Sequence, residues 1–218
     1  MRSAVEDRAK DKIIEWSKLF SAREKIHRRY RSIWDIPLIK KRSALLKDIL
    51  KDGMSILDVG AGSKGMKEEI ERAGVHITYR SMDTDRNIEH DFYDIADIYE
   101  VFDCITLFEV IEHLSFPDGF ELLKRLRARL NENGILILST PNIFTPGRFM
   151  RDTTHKTFYA YDELCGLLDL AGYKIKKVYR SYNDAIHRYL LKVYLFGFLF
   201  RFFGIDYAYS IFIVAEKA

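Results

Sequence analysis

Cysteine and proline are scarce in this chain, with two and four among 218 residues. Cys104 and Cys165 sit inside apolar-patterned segments and match no metal-ligand spacing. That excludes a disulfide scaffold and reads as two buried reduced thiols in a cytosolic chain. The N-terminus, Met-Arg-Ser-Ala-Val-Glu-Asp, has no apolar signal core, so no secretion signal is expected. Long apolar runs are missing too. The richest stretch, Ile186 to Phe203, is interrupted by Arg188, Lys192 and Arg201, which leaves eight uncharged residues from Val193 to Phe200. A membrane span needs roughly 20. Internal repeats and low-complexity segments are absent. A hydrophobic share of 48% with 31% charged residues excludes disordered and fibrous classes, and the length suits one domain with a full core.

The charge is uneven. Residues 1–52 carry 15 Lys/Arg against 8 Asp/Glu, while the whole chain is only +3. The excess is densest at Arg23, Lys25, Arg28, Arg29 and Arg31, and again at Lys40, Lys41 and Arg42. Such a surface is either a solvated basic face or a seat for an anionic partner, whether lipid surface, phosphate-bearing substrate or RNA. Nucleic acid is the least expected of these.

Residues 4 to 30 carry an imperfect helical stripe, and a second helix is expected from about Ile39 to Leu50, ended by Asp52-Gly53. The division is therefore a helical N-terminal extension over 1–52 and a main domain over 53–218. From Ser55 onward, strand and helix alternate. Strands are expected at the Ser55 run, Val75 to Met82, Phe102 to Phe108, Ile135 to Ser139, Tyr173 to Tyr179 and Tyr209 to Glu216, with a weak one near Asn87 to His90. Repeated alternation with β-branched strands means an α/β fold, a parallel sheet covered on both faces. A hydrophobic insertion, 183–207, precedes the last strand. Its aromatic-rich part, 186–203, is a lid, an interface or a surface-lying membrane contact.

Ser55 to Gly65 reads Ser-Ile-Leu-Asp-Val-Gly-Ala-Gly-Ser-Lys-Gly, a strand, a tight turn and a helix start. Glycine admits positive φ and lets a ligand approach the backbone, so a nucleotide is the natural occupant. The spacing alone does not say which one. Ligands of open parallel sheets sit beyond the carboxyl ends of the strands. Those ends hold Asp58, then Asp83 at 21 residues past Gly62, where a carboxylate meets ribose hydroxyls or caps the turn with Thr84. His90-Asp91-Phe92 could set a carboxylate and a ring against an adenine. Phe108 and Glu109 close the fourth strand, and His113 follows one turn later.

Ile56-Leu-Asp-Val-Gly-Ala-Gly62, Asp83, Asp91-Phe92, Phe108-Glu-Val-Ile-Glu-His-Leu114, Gly134-Ile-Leu-Ile-Leu-Ser-Thr-Pro-Asn142 and Asp152-Thr-Thr-His155 occur in that order. The series resembles the class I S-adenosylmethionine-dependent methyltransferases, and most of all the ubiquinone-biosynthesis-type O-methyltransferases and relatives acting on lipids or surface sugars. The resemblance implies a Rossmann-like doubly wound sheet of about seven strands, mostly parallel with a last antiparallel strand. It implies S-adenosyl-L-methionine as cofactor and S-adenosyl-L-homocysteine as product. By it, Gly60, Ala61 and Gly62 wrap the methionine portion, Asp83 holds the ribose, Asp91 and Phe92 recognise adenine, and Phe108 and Glu109 line the wall near the sulfonium. Asp58 and Thr84 complete the cofactor set. Ser63 and Lys64 shift the third glycine by one residue from the pattern usual in these families.

Methyl transfer mainly needs alignment, and a hydroxyl acceptor also needs a base. His113 and His155 are the candidates. No Asn-Pro-Pro-aromatic or Asp-Pro-Pro-aromatic run follows the fourth strand, which speaks against methylation of adenine or glutamine nitrogens. No metal site is expected. The expected acceptor is a small molecule or a lipid- or glycan-linked one, in the cytoplasm or peripherally at the inner membrane surface. A nicotinamide-dependent oxidoreductase and a non-catalytic binding protein of the same fold are the alternatives.

Overall fold

The computed structural model describes residues 15–182 and 184–218. Its frame follows from the apolar strands. β2 (Ser55–Val59), β3 (Thr78–Met82), β4 (Phe102–Phe108), β5 (Leu130–Pro141), β6 (Tyr173–Ser181) and β7 (Ser210–Lys217) form one sheet with a two-residue strand, β1 (Leu38–Ile39). The order is β1-β6-β7-β5-β4-β2-β3. Every pairing is parallel except the two made by β7. The sheet is thus seven-stranded and mostly parallel with a last antiparallel strand.

Successive side chains of a strand face opposite ways, and both faces are filled. Leu57, Ile105, Leu107, Leu136 and Leu138 face one apolar cluster. Ile56, Cys104, Ile137 and Val214 face the other. α1 (Trp16–Arg29), α4 (Phe116–Ala128) and α5 (Tyr161–Leu170) lie over the first face; α2 (Arg42–Ile49) and α3 (Gly65–Arg72) lie over the second. Arg23 and His27 of α1 both reach the buried carboxylate of Asp162 on α5, at 3.0 and 2.8 Å. Both cysteines are free and buried.

Four expectations are corrected. The weak strand near Asn87 to His90 does not form: Asp85 caps Asn87 through backbone and side-chain hydrogen bonds of 2.9 and 2.7 Å, a turn rather than an extended run. In its place a single bridge joins Met82 to Phe92. The seventh strand lies at the opposite edge, where Leu38 and Ile39 pair with Arg180 and Ser181, so the front section is not all helix. Its second helix begins at Arg42 rather than near Ile39, and β3 begins at Thr78 rather than Val75. The expected first helix is seen over Trp16–Arg29, and residues 1–14 lie outside the described residues.

The insertion forms α6 (Ile186–Leu190), a π-helical turn (Leu191–Leu195) and α7 (Gly197–Phe202). No helix among the described residues is long and apolar enough to cross a membrane.

Candidate active site

The turn after β2 is built by backbone geometry. Gly60 has φ +75°, and a Cβ placed there would lie 2.2 Å from Cγ2 of Val110. Any side chain would therefore collide with the loop after β4. The N–H groups of Gly60 and Ala61 donate to the Met82 carbonyl at 2.8 and 3.2 Å, tying the turn to the end of β3. The Asp83 carboxylate accepts from Gly62 N–H at 2.9 Å and from Asp85 N–H at 3.0 Å. It is thus a turn-shaping group.

Asp58 is buried beneath the turn. Its oxygens accept from Tyr79 OH and Thr106 Oγ1, both at 2.8 Å. Burial pushes its pKa up, against the two hydroxyl donors and the more distant Arg42. Asp58, Gly60, Ala61, Gly62 and Phe108 are brought together around a cavity of about 280 Å³, which Arg42 also lines. Thr84 is exposed beyond it.

Asp91 is turned back onto the protein. One oxygen accepts from Ser81 N–H and Oγ at 2.8 and 2.9 Å, and the other from Arg80 at 3.0 Å. Burial raises its pKa, but the Ser81 donors and Arg80 outweigh that and hold it below the usual carboxylate range. Phe92 packs partly buried against the core, with its N–H on Ser81 O and its carbonyl accepting from Asp83 N–H. The pair therefore sits beside β3 as a loop fastener.

At the end of β4, Glu109 takes a left-handed φ of +53°, uncommon for a residue with a side chain. Its N–H donates to Ser139 O at 3.1 Å, and its carboxylate accepts from Ser139 Oγ at 2.8 Å. Arg148 lies 4.0 Å from its second oxygen. Arg42 places its guanidinium 5.0 Å from the centre of the Phe108 ring and pairs with Glu69 at 2.6 Å. Sequence reasoning missed Arg42 and Arg148 as site residues. Arg42 stood in the basic run before the domain, while Arg148 had no signal at all.

The two histidines do meet. Their ring centres are 4.8 Å apart, and neither lines the 280 Å³ cavity. Thr154 has one hydroxyl proton, which goes to Asp152 Oδ1 at 2.6 Å. Its oxygen is then left to accept from His113 Nδ1 at 2.8 Å. His155 Nδ1 is 2.8 Å from the Phe149 carbonyl, which can only accept. Both imidazoles are thus held as donors at Nδ1, with the Nε2 lone pair left available when neutral.

Glu112, fully buried, lies behind them. Oε2 accepts from Thr140 at 3.2 Å, and Oε1 has no hydrogen-bond partner. Burial and then the charge of Glu109 push its pKa up to about 8. Glu112, His113 and His155 present ligand atoms within 4.8 Å of one another, and Nδ1 bonds of this kind orient metal-binding imidazoles. These three can hold a divalent ion. No local pattern signals it, because His155 is 42 residues from His113.

A family model described as a methyltransferase domain matches residues 25–178. The chain belongs to the methyltransferase family. With that, the S-adenosylmethionine-dependent class implied by the ordered motifs stands. The ubiquinone biosynthesis O-methyltransferase of Actinobacillus pleuropneumoniae serotype 5b is 30% identical to this methyltransferase over 111 residues, covering 41% of this chain and 47% of that one. The chain thus spans about half the length of the curated relatives it matches. A solved SAM-dependent methyltransferase from Archaeoglobus fulgidus superposes with a TM-score of 0.62 at 16% identity, over 80% of this chain and 92% of that one. One from Mesorhizobium loti gives 0.59 at 14%, over 80% and 96%. At such identities the likeness is one of fold.

Proposed function

We propose that this methyltransferase methylates a hydroxyl of a lipid- or glycan-linked acceptor, with His113 as base and His155 beside it. The observation that carries the reading is the chain from His113 Nδ1 through Thr154 to Asp152. It holds the imidazole in the tautomer whose Nε2 can take a proton and lets a nearby carboxylate favour the charged ring afterwards. When bound, S-adenosylmethionine supplies a methyl on a sulfonium: the acceptor oxygen forms the new C–O bond as the S–C bond breaks, and sulfur keeps the electron pair. The chain's part is to align and to accept the proton at His113 Nε2.

For the cofactor, we assign Gly60, Ala61 and Gly62 to the methionine portion, over Asp58, and Asp83 with Thr84 to the ribose. Asp91 and Phe92 take the adenine end, and Phe108 and Glu109 the wall near sulfur. Residues 1–52 act as an extension of the domain at 53–218. The insertion supports a membrane-surface acceptor: Leu190, Tyr194, Leu195, Phe198, Phe202 and Phe203 are all exposed, and 186–203 holds three Lys/Arg and no carboxylate. Peripheral seating at the inner membrane surface follows from that reading.

Calorimetry with S-adenosylhomocysteine and with NAD(H), followed by transfer of labelled methyl to lipid and glycan extracts, tests it. His113→Gln is expected to lower turnover by about 100-fold or more with S-adenosylhomocysteine affinity unchanged. Full activity in that variant would remove His113 as base, and tight NAD(H) binding would instead favour an oxidoreductase.

A further inference from the structure

Beyond the glycine turn, the same sheet edge carries a second and larger opening. The register places Ile39 beside Ser181, Ser181 beside Ser210, Ser139 beside Phe212 and Phe108 beside Ser139. These residues fall in two rows two residues apart, Ile39–Ser181–Ser210 and Phe212–Ser139–Phe108, at one end of the sheet. Phe108, Glu109, Ser139, Ser181, Ser210 and Phe212 line a cavity of about 660 Å³ along it. The glycine turn lies over β2, on the other half of the edge. The 280 Å³ cavity and this one share Phe108 and Arg42 as a common wall.

β1 ends at Ile39, so Lys40, Lys41 and Arg42 are delivered straight to this edge, and all three line the cavity together with Arg148. An adjoining cavity of about 730 Å³ shares Lys40, Lys41, Arg42, Ser43 and Glu69 and runs out past Lys47 and Arg72. Across the two, six cations face two carboxylates, Glu69 and Glu109. Glu69 is taken up by Arg42 at 2.6 Å, Glu109 accepts from Ser139 and lies 4.0 Å from Arg148, and Arg72 pairs with Glu68 at 3.8 Å. Lys40 and Lys41 form no ion pair or side-chain hydrogen bond among the described residues, and Arg148 Nε is buried without a partner. Cations in excess of the carboxylates beside them repel one another, and the surplus at Lys40 and Lys41 favours an anion of more than one charge.

We infer that the methyl acceptor carries a phosphate ester or diphosphate, seated against Lys40, Lys41 and Arg148, with its hydroxyl portion directed to the Phe108–Glu109 wall. Arginine suits phosphate through its planar fork and lysine as a point charge. The inference rests on the methyltransferase reading. The same chemistry can arrive on a polyprenyl diphosphate in a membrane or on a soluble sugar nucleotide.

The test uses the full chain in EDTA, so that no divalent ion bridges the phosphates. S-adenosylhomocysteine is titrated first, and inorganic diphosphate is then titrated into the saturated protein. Diphosphate is expected to bind the wild type and to bind the doubly substituted Lys40→Gln/Lys41→Gln protein at least 10-fold more weakly. Arg148→Gln gives a second, independent loss, and both variants keep a native thermal transition. Equal diphosphate affinity in wild type and variants, or none in the wild type, overturns the inference while S-adenosylhomocysteine still binds. Failure of S-adenosylhomocysteine itself to bind would instead strike the methyltransferase reading. Competition of bound diphosphate by UDP-glucose points to a soluble source. Competition only by phosphatidylcholine vesicles containing polyprenyl diphosphate points to a membrane one.

Discussion

Gly60 shows most directly how one residue type controls the site. A methyl group there would have to enter the space of Val110 Cγ2 at 2.2 Å, and the backbone would have to keep φ +75°, which costs an L-residue about 1–2 kcal/mol. Gly60→Ala is expected to weaken S-adenosylhomocysteine binding at least 10-fold by calorimetry and to lower the melting temperature, and Val110→Ala in the same chain should recover part of both. Unchanged affinity in Gly60→Ala would mean that the turn does not touch the cofactor. Glu112 supplies the pH dependence. Its folded pKa of about 8 lies above the 4.5 of an ordinary glutamate, so between those values the folded chain keeps a proton that the unfolded chain has lost. Stability therefore falls as pH rises through that window, by up to about 1.4 kcal/mol per pH unit, and levels off above it. Denaturant titrations in EDTA at pH 5.5 and 7.5 should differ by ~2–3 kcal/mol more in the wild type than in Glu112→Gln. Equal slopes would show that Glu112 ionises normally. At this scale the glycine turn, Asp83 and the His113 segment were legible because each is a local pattern. The committed carboxylate of Asp91 was not, since Ser81 and Arg80 reach it from a different strand, and neither was the meeting of Glu112 with His155, which needs the tertiary fold.

Among the elements, the strands with continuous apolar runs were plain in the sequence, because burial on both faces demands such runs. β1 was not: two residues carry no periodicity, and they become a strand only because the edge of β6 is there to pair with. Asn133 takes a left-handed φ of +63° within β5 where its register against β4 shifts, and Leu130 ahead of it already pairs with Phe102, so β5 starts earlier than the expected Ile135. Asp206 fastens the insertion to this sheet at a buried point. Asp206 accepts from Arg180, Tyr182 and Asn142 side chains at 3.0, 3.1 and 2.9 Å, and from its neighbour's N–H. Removing the carboxylate would leave the Arg180 guanidinium buried and unpaired, so Asp206→Ala should cost about 3–5 kcal/mol. Chemical denaturation measures it, and a loss below 1 kcal/mol would show that water reaches Arg180 and that the insertion is held elsewhere.

For the whole molecule, the question is where the apolar outer face of 186–203 spends its time. The helical segments are short, and they expose Leu190, Tyr194, Leu195, Phe198, Phe202 and Phe203. Such a patch in water asks for a cover. Charge argues for an anionic lipid surface as that cover. Lys192 is held by Asp184 at 2.7 Å, but Arg188 and Arg201 have no ion pair among the described residues, and a basic charge near an anionic surface is worth about 1 kcal/mol. The basic cavity at Lys40–Arg42 lies on the same chain, so an acceptor held in the membrane by its lipid could present a phosphate to it. Co-sedimentation with vesicles of phosphatidylcholine and 30% phosphatidylglycerol should retain the wild-type chain at low salt and lose most of it at high salt. Replacing Leu195, Phe198 and Phe202 by serine should abolish vesicle binding at either salt, with S-adenosylhomocysteine affinity unchanged. Equal binding to pure phosphatidylcholine would make the contact apolar alone. Dimers in place of vesicle binding, seen by sedimentation of the wild type and lost in the triple variant, would assign the face to a second copy of the chain.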